Sequence, residues 1–271
     1  MKLRALCVLT SILLAACGES EPPPPATQQP AETPPIAVTE TAAEASPAPA
    51  QTAADEPAAE SAAARPARVE LAASDAAEAA LAAAGYKSGV DYLRLSPTQP
   101  TSSSPDQVEV AEFFAYSCPH CYNLEPYVQQ WLTTKPEYIN FIRVPVVWNE
   151  LARLHGQAFY AAAALGKIEE MHTPFFREVH VNNNLLQSEA ALTEFFGRFG
   201  VDAAAFKTAF GSFSVHTNVQ RADELTRRYR VDGTPTMVVN GKYVTTATRA
   251  GGHEQLIKLV AVLAASEHAP N

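Results

Sequence analysis

All 23 aromatic residues of this chain lie at or after Tyr86, and that asymmetry fixes where a packed fold can form. Between Gly18 and Ala83 there are 24 alanines and 11 prolines and no aromatic residue. Such a stretch buries too little apolar area to offset the entropy of ordering it, so it reads as an unfolded linker. The remainder has the size of one domain with a substantial core. Charge divides at the same place. Residues 18–83 carry eleven acids against Arg65 and Arg68, whereas 18 acids and 16 bases follow from residue 84 onward. The net charge of −9 therefore belongs mostly to the linker, and the folded part is close to neutral. No basic stripe runs along it, which argues against nucleic acid as a partner.

The N-terminus has the form of an export signal. Lys2 and Arg4 precede an apolar run from Ala5 to Ala16, too short to span a bilayer as a helix. Leu14-Ala15-Ala16-Cys17-Gly18 resembles the lipobox of bacterial lipoprotein signals. That resemblance implies that residues 1–16 are removed and that Cys17 carries acyl chains (palmitate among them). An ordinary signal with an incidental cysteine is the alternative. More than one acyl chain is enough for stable anchoring. Gly18 after the cysteine resembles the pattern sorted to the outer membrane, with the inner membrane as the other destination. Residues 17–84 then form the tether. Its reach is on the order of 200 Å if extended and roughly 45 Å as a flexible coil. Helix in the alanine-rich residues 70–84 would shorten it.

With Cys7 inside the signal and Cys17 assigned to lipid, the domain keeps only Cys118 and Cys121, in Cys118-Pro119-His120-Cys121. A zinc site would need two more ligands at suitable spacing, and the seven histidines are scattered, so no metal is expected. Covalent haem attachment needs His directly after the second cysteine, where Tyr122 stands. A purely structural disulfide would close too short a loop to stabilise much. A redox-active dithiol is the economical reading, with no other cofactor. The local pattern agrees. Val108, Val110, Glu112 and Phe114 alternate with Glu109, Ala111 and Phe113, predicting a strand that ends near Tyr116. Cys118-Pro119 then opens a helix reaching Trp131 or Leu132, with proline acceptable in the first turn. A cysteine at that helix start faces free N–H groups and the positive dipole end, so Cys118 should have a depressed pKa. Cys121, one turn deeper, is the resolving thiol.

Glu112-Phe113-Phe114 followed by Cys118-Pro119-His120-Cys121-Tyr122 resembles the DsbA family of thiol:disulfide oxidoreductases, a branch of the thioredoxin fold. Val231-Asp232-Gly233-Thr234-Pro235-Thr236 adds a second match, to the loop that carries a cis-proline beside the active-site disulfide. The resemblance implies an α/β, thioredoxin-like fold over residues 85–266 with an all-helical subdomain inserted at about 149–230, and a tail at 267–271. The sequence pattern is consistent with it. Ile139–Val147 reads as a strand ending at Pro145, and apolar residues recur at helical spacing from Leu151 to Phe199. Gly166 and Gly200 read as helix stops and Asp202 as an N-cap. Asn240-Gly241 marks a hairpin between Met237–Asn240 and Tyr243–Thr246. A closing helix is predicted from His253 to Ala265.

The same resemblance assigns roles. Cys118 attacks and is attacked, and Cys121 resolves. His120 supplies a hydrogen bond or charge to the Cys118 thiolate, and Pro119 shapes the turn. Glu112 accepts the proton of Cys121, with Glu125 a second candidate on that proton path. Thr234 and Pro235 dock the substrate. The implied activity is oxidation of exported, unfolded proteins with free thiols, by a monomer facing the periplasm and held at a membrane by its lipid. A DsbB-like, quinone-linked membrane oxidase would restore the disulfide. A reductase or isomerase on the same fold, and a tethered peptide-binding or chaperone module, are the alternatives.

Overall fold

Val108–Phe114 (β2) is buried along its whole length, and the fold is arranged around it. The computed structural model describes residues 76–268, so the expected signal, Cys17 and the linker up to residue 75 lie outside the described residues. β2 pairs in parallel with Ile139–Pro145 (β3) and antiparallel with Thr236–Val239 (β4). Tyr243–Thr245 (β5) continues from β4. The two-residue strand Leu93–Arg94 (β1) forms the edge, giving the order β1-β5-β4-β2-β3. The Asn240-Gly241 turn joins β4 to β5 as expected. Gly241 is needed there twice over: its φ is +61°, and a Cβ would collide with the Gln99 carbonyl.

Both faces of the sheet are covered, which is why the central strand is buried at every position, its two acids Glu109 and Glu112 included. Pro119–Leu132 (α2) and His253–Glu267 (α9) supply Leu124, Val128, Leu256 and Leu259 against Val108 and Val110. Phe213–Arg228 (α7) covers the other face, where Ala222 and the following Tyr229 meet Ala111 and Phe113. Between β3 and β4 the chain builds the helical insertion. Its other helices are Glu150–Ala164 (α3), Ile168–His180 (α4), Glu189–Gly197 (α5) and Ala203–Phe210 (α6). Asn149, Ser188, Asp202 and Ser212 cap four of these helices by accepting backbone N–H groups. The insertion packs on its own phenylalanines, and Phe114, Tyr116 and Cys121 belong to that same cluster. The active-site turn therefore lies on the seam between sheet and insertion.

The expected domain limits need correcting at both ends. The linker does not stay unfolded to residue 84: residues 76–83 form a helix (α1), with Leu81 fully buried among Tyr92, Val128 and Leu263. Alanine has the highest helix propensity, and one leucine on such a helix is enough to seat it on an existing core. At the other end α9 continues to Glu267, whose carboxylate accepts from Asn240 and Lys242, and the His268 ring stacks on Tyr138 at 3.8 Å. Residues 267–268 thus belong to the fold rather than to a tail. β1 and the four-residue helix Ala247–Ala250 (α8) escaped the sequence reading because neither is long enough to show a period.

If α1 is part of the domain, Leu81→Ala should destabilise it by about 3 kcal/mol, the usual cost of emptying a fully buried leucine site. Urea denaturation reads this directly; an unchanged midpoint would detach α1 from the core.

Candidate active site

β2 ends at Phe114, and the chain turns through Ala115 to Ser117, with the Cys118 N–H donating to the Ala115 carbonyl at 3.0 Å. Cys118 is the N-cap of α2 in an extended conformation (φ −87°, ψ 116°), and Pro119 follows it in the first turn. Proline costs nothing there, because its missing N–H would have had no helical partner. The cap geometry points the Cys118 sulfur at the free N–H groups of the first turn. Cys118 is half-buried and Cys121 completely so, and both are free thiols in this structure.

The two sulfurs are electrostatically unlike. The Cys118 thiol is held down to about 5, chiefly by a hydrogen bond from the Cys121 thiol. Burial opposes this, and a side-chain hydrogen bond from Thr234 and the N–H groups of Cys121 and His120 assist it. Thr234 also acts the other way. Its carbonyl lies 3.3 Å from Cys118 Sγ and can only accept, which favours the thiol. The donors outnumber that one acceptor, so the thiolate prevails. Burial pushes the Cys121 thiol far above its ordinary range, reinforced by Cys118 and by the charge of Glu112. The expected hydrogen bond from the His120 imidazole is not made: the side chain is exposed, and the residue reaches the sulfur through its backbone.

Beneath the cysteines lies a cluster of buried charge. Parallel pairing sets Glu112 of β2 beside Arg143 of β3, and their side chains approach to 3.4 Å. Burial pushes the Glu112 carboxyl up to about 7, with Arg143 opposing and the charges of Glu125 and Cys118 adding. Arg143 also meets both oxygens of Glu125 at 3.4 Å, where Gln129 and Thr173 donate as well, at 2.6 and 3.2 Å. Burial alone would raise Glu125; the His172 side chain, Arg143 and Gln129 overcome it and hold the carboxyl below its ordinary value. Glu125 also lines a groove of about 510 Å³ with Tyr122, Pro126, Gln129, Thr173 and Arg177, so this carboxyl lies at the edge of solvent. Facing Cys118 from the opposite side, Thr234-Pro235 is a cis peptide, with Pro235 buried and Thr234 half-buried. Among the described residues, no three His, Cys, Asp or Glu side chains converge as metal ligands.

Comparison with known proteins draws these features together. The DSBA-like thioredoxin domain matches residues 142–258. The thiol:disulfide interchange protein DsbA of Azotobacter vinelandii is 37% identical over 187 residues, covering 69% of this chain and 87% of the relative. DsbA of Pseudomonas aeruginosa is 35% identical, over 68% of this chain and 87% of its own. A crystal structure of Pseudomonas aeruginosa DsbA superposes with a TM-score of 0.62 at 35% identity, over 65% of this chain and 92% of that one. The chain belongs to the DsbA family. It is a thiol:disulfide oxidoreductase of the thioredoxin fold.

Within this family member the structure brings Cys118, Cys121, Glu112, Glu125, Thr234 and Pro235 into one site and leaves His120 and Pro119 at its exposed rim. Sequence reasoning missed Arg143, although an arginine in the apolar strand Ile139–Pro145 was a legible sign of a buried partner. It also missed Tyr116, whose hydroxyl meets His172 Nδ1 and whose carbonyl meets His180 Nε2, each at 2.8 Å. Those histidines come from α4, 56 and 64 residues along the chain from Tyr116, and no local pattern announces them.

The depressed Cys118 pKa fixes the sign of a stability effect. A group with a lowered folded pKa stabilises the fold above its unfolded value and loses that contribution as pH falls through the folded one. The dithiol protein should therefore gain Tm over the disulfide protein as pH rises from about 5 towards 9.0. The gap should close below about 5. A gap independent of pH over that range would remove the thiolate assignment.

Proposed function

We propose that this DsbA relative is a thiol oxidase that faces the periplasm from a lipid anchor at Cys17 and donates its Cys118–Cys121 disulfide to exported polypeptides. One observation carries the direction of transfer: Cys118 is a stabilised thiolate while Cys121, one turn away, is a thiol held neutral by burial. Whatever stabilises only the reduced state makes the disulfide a stronger oxidant, and the DsbA family is itself the standard example of such a protein.

The residues divide the reaction as follows. A substrate thiolate attacks Cys118 Sγ, the half of the disulfide that is open to solvent. The S–S bond breaks, Cys121 leaves with the electron pair, and Glu112 supplies the proton that its buried sulfur requires. The substrate's second thiolate then attacks the substrate sulfur of the mixed disulfide. Cys118 departs as a thiolate, which its low pKa makes a good leaving group. Reoxidation runs the proton the other way. Cys118 attacks a disulfide of a quinone-linked, DsbB-type membrane partner, Cys121 gives its proton to Glu112, and the Cys121 sulfur resolves the mixed disulfide. A carboxyl near 7 suits both directions, since it is a competent acid and base at neutral pH. The Thr234-Pro235 loop presents main chain beside Cys118, where an extended peptide would pair in the manner of an added strand. His120 adds its N–H to the thiolate, and Pro119 holds the first turn of α2.

Equilibrating the Cys118–Cys121 pair against glutathione buffers tests the direction. The expected potential is well above that of thioredoxin, about −270 mV, and a value as reducing as that would make this chain a reductase. The anchor rests on Leu14-Ala15-Ala16-Cys17, and Cys17→Ser tests it. The variant should leave the detergent phase for the aqueous one or stay unprocessed; unchanged partitioning would rule out the lipoprotein.

A further inference from the structure

Arg143 stands between two buried carboxylates, so with both ionised the cluster carries an unbalanced negative charge. One of the two must be the readier to take a proton, and the surroundings decide which. Glu125 is surrounded by donors. Gln129 comes from its own helix and Thr173 from α4 of the insertion, while His172 Nε2, also of α4, lies 3.5 Å from Glu125 Oε2, within electrostatic reach but not in an aligned hydrogen bond. Glu112 faces Arg143 Nε at 3.4 Å, and neither of those two atoms is in a well-aligned hydrogen bond.

The direction of the His172 proton follows from its other nitrogen. The ring is 1% exposed, and burial lowers its pKa, so it is neutral and carries a single N–H. Tyr116, a buried phenol whose own pKa is raised well above its ordinary value, sits 2.8 Å from Nδ1. If Nδ1 held the proton, the bare lone pair of Nε2 would face the Glu125 carboxylate. With Tyr116 donating to Nδ1, the proton lies on Nε2 and points at Glu125. Phe114 and Phe176 hold the ring in that plane by edge contacts at 5.1 and 5.2 Å.

We propose that His172, assisted by Thr173, is a positioning residue for proton transfer at Cys121: its Nε2–H fixes the negative charge on Glu125 and leaves Glu112 as the carboxyl that takes and returns the proton. The inference rests on the role assigned to Glu112 above. The charged and titratable groups around it are Glu112, Tyr116, Glu125 and Arg143, with Glu169 from its own helix and the cysteine pair acting at longer range. Without the Nε2–H, Glu125 becomes the easier site for the proton. Arg143 then serves Glu112 alone, and Glu112 stays ionised to lower pH.

The test is the rate at which reduced glutathione attacks the oxidised full-length protein, divided by the glutathione thiolate fraction and followed against pH. In the unmodified protein this corrected rate should fall as pH rises through the Glu112 pKa, which without the Cys118 thiolate lies below the value of about 7 held in the dithiol form. His172→Phe should move that fall down by up to about one pH unit, the scale of removing a buried dipole that faces a carboxylate. His172→Gln, which keeps an N–H donor and an acceptor, should restore it. Thr173→Val, at a half-buried position, should move it the same way by less, and it carries the test should His172→Phe not fold. Profiles that coincide with the unmodified one in the Phe and Val variants would overturn the inference, as would a Gln variant that behaves like Phe. Glu112→Gln separates the two levels. If it leaves the profile unchanged, the Glu112 role itself fails. If it abolishes the fall and His172→Phe does not shift it, only the part given to His172 fails.

Discussion

Arg143 holds the centre of this molecule together. Its guanidinium, 6% exposed, reaches Glu112 on the neighbouring strand and Glu125 on the helix that carries the cysteines. A buried ion pair of this kind is a poor source of stability, because desolvating the charges offsets most of their attraction. What it provides is a fixed spacing. Strand register sets Glu112 opposite Arg143, and Arg143 in turn ties α2 to the sheet, so the carboxyl and the Cys121 thiol keep one geometry. Removing the guanidinium would leave Glu112 without its opposing charge and push its carboxyl further towards the neutral form, while Glu125 would keep Gln129 and Thr173 as donors.

The contrast between the two sulfurs grows from the same arrangement. Both belong to one turn of one helix, and sequence position alone makes them near equals. Cys118 is the cap residue, open to N–H donors, while Cys121 is enclosed by the phenylalanines of the insertion. One receives the positive end of α2 and the other a low-dielectric wall. Each then sharpens the other, since the neutral thiol of Cys121 is the strongest donor to the Cys118 thiolate. The insertion is thus part of the redox chemistry as well as of the packing.

The parts of this that a single sequence could show are the local ones. Cys118-Pro119-His120-Cys121 at the end of an alternating strand announces its helix start, its dithiol and the direction of the Cys118 pKa, because all three depend on adjacent residues. The Asn240-Gly241 turn and the Asp202 cap were readable for the same reason. Helix in the alanine-rich residues before 84 was readable from propensity; that it docks on the core was not, because a single seating leucine, Leu81, leaves no pattern to distinguish it from a tether. Arg143, Tyr116 and His172 failed differently. Their meaning lies in contacts between β3, the turn before α2, and α4; Arg143 in an apolar strand signals that a buried partner exists, but sequence distance hides which residue it is. His120 marks a limit of the motif: the tetrad names the residue, but not that its main-chain N–H reaches the Cys118 sulfur while its side chain is exposed.

Burial of Cys121 has a consequence for the fidelity of exchange. A disulfide offers two electrophilic sulfurs, and in a symmetric, open one an incoming thiolate would partition between them. Here the Cys121 half lies behind Phe114, Tyr116 and the insertion, and in-line approach is left only to the Cys118 side. The fold thereby imposes regioselectivity on a reaction that has little of its own. In the proposed reaction every substrate is then captured on the Cys118 sulfur, with the same low-pKa leaving group and Cys121 behind it as the resolving thiol. No captured polypeptide can be stranded on the sulfur from which release would be slow.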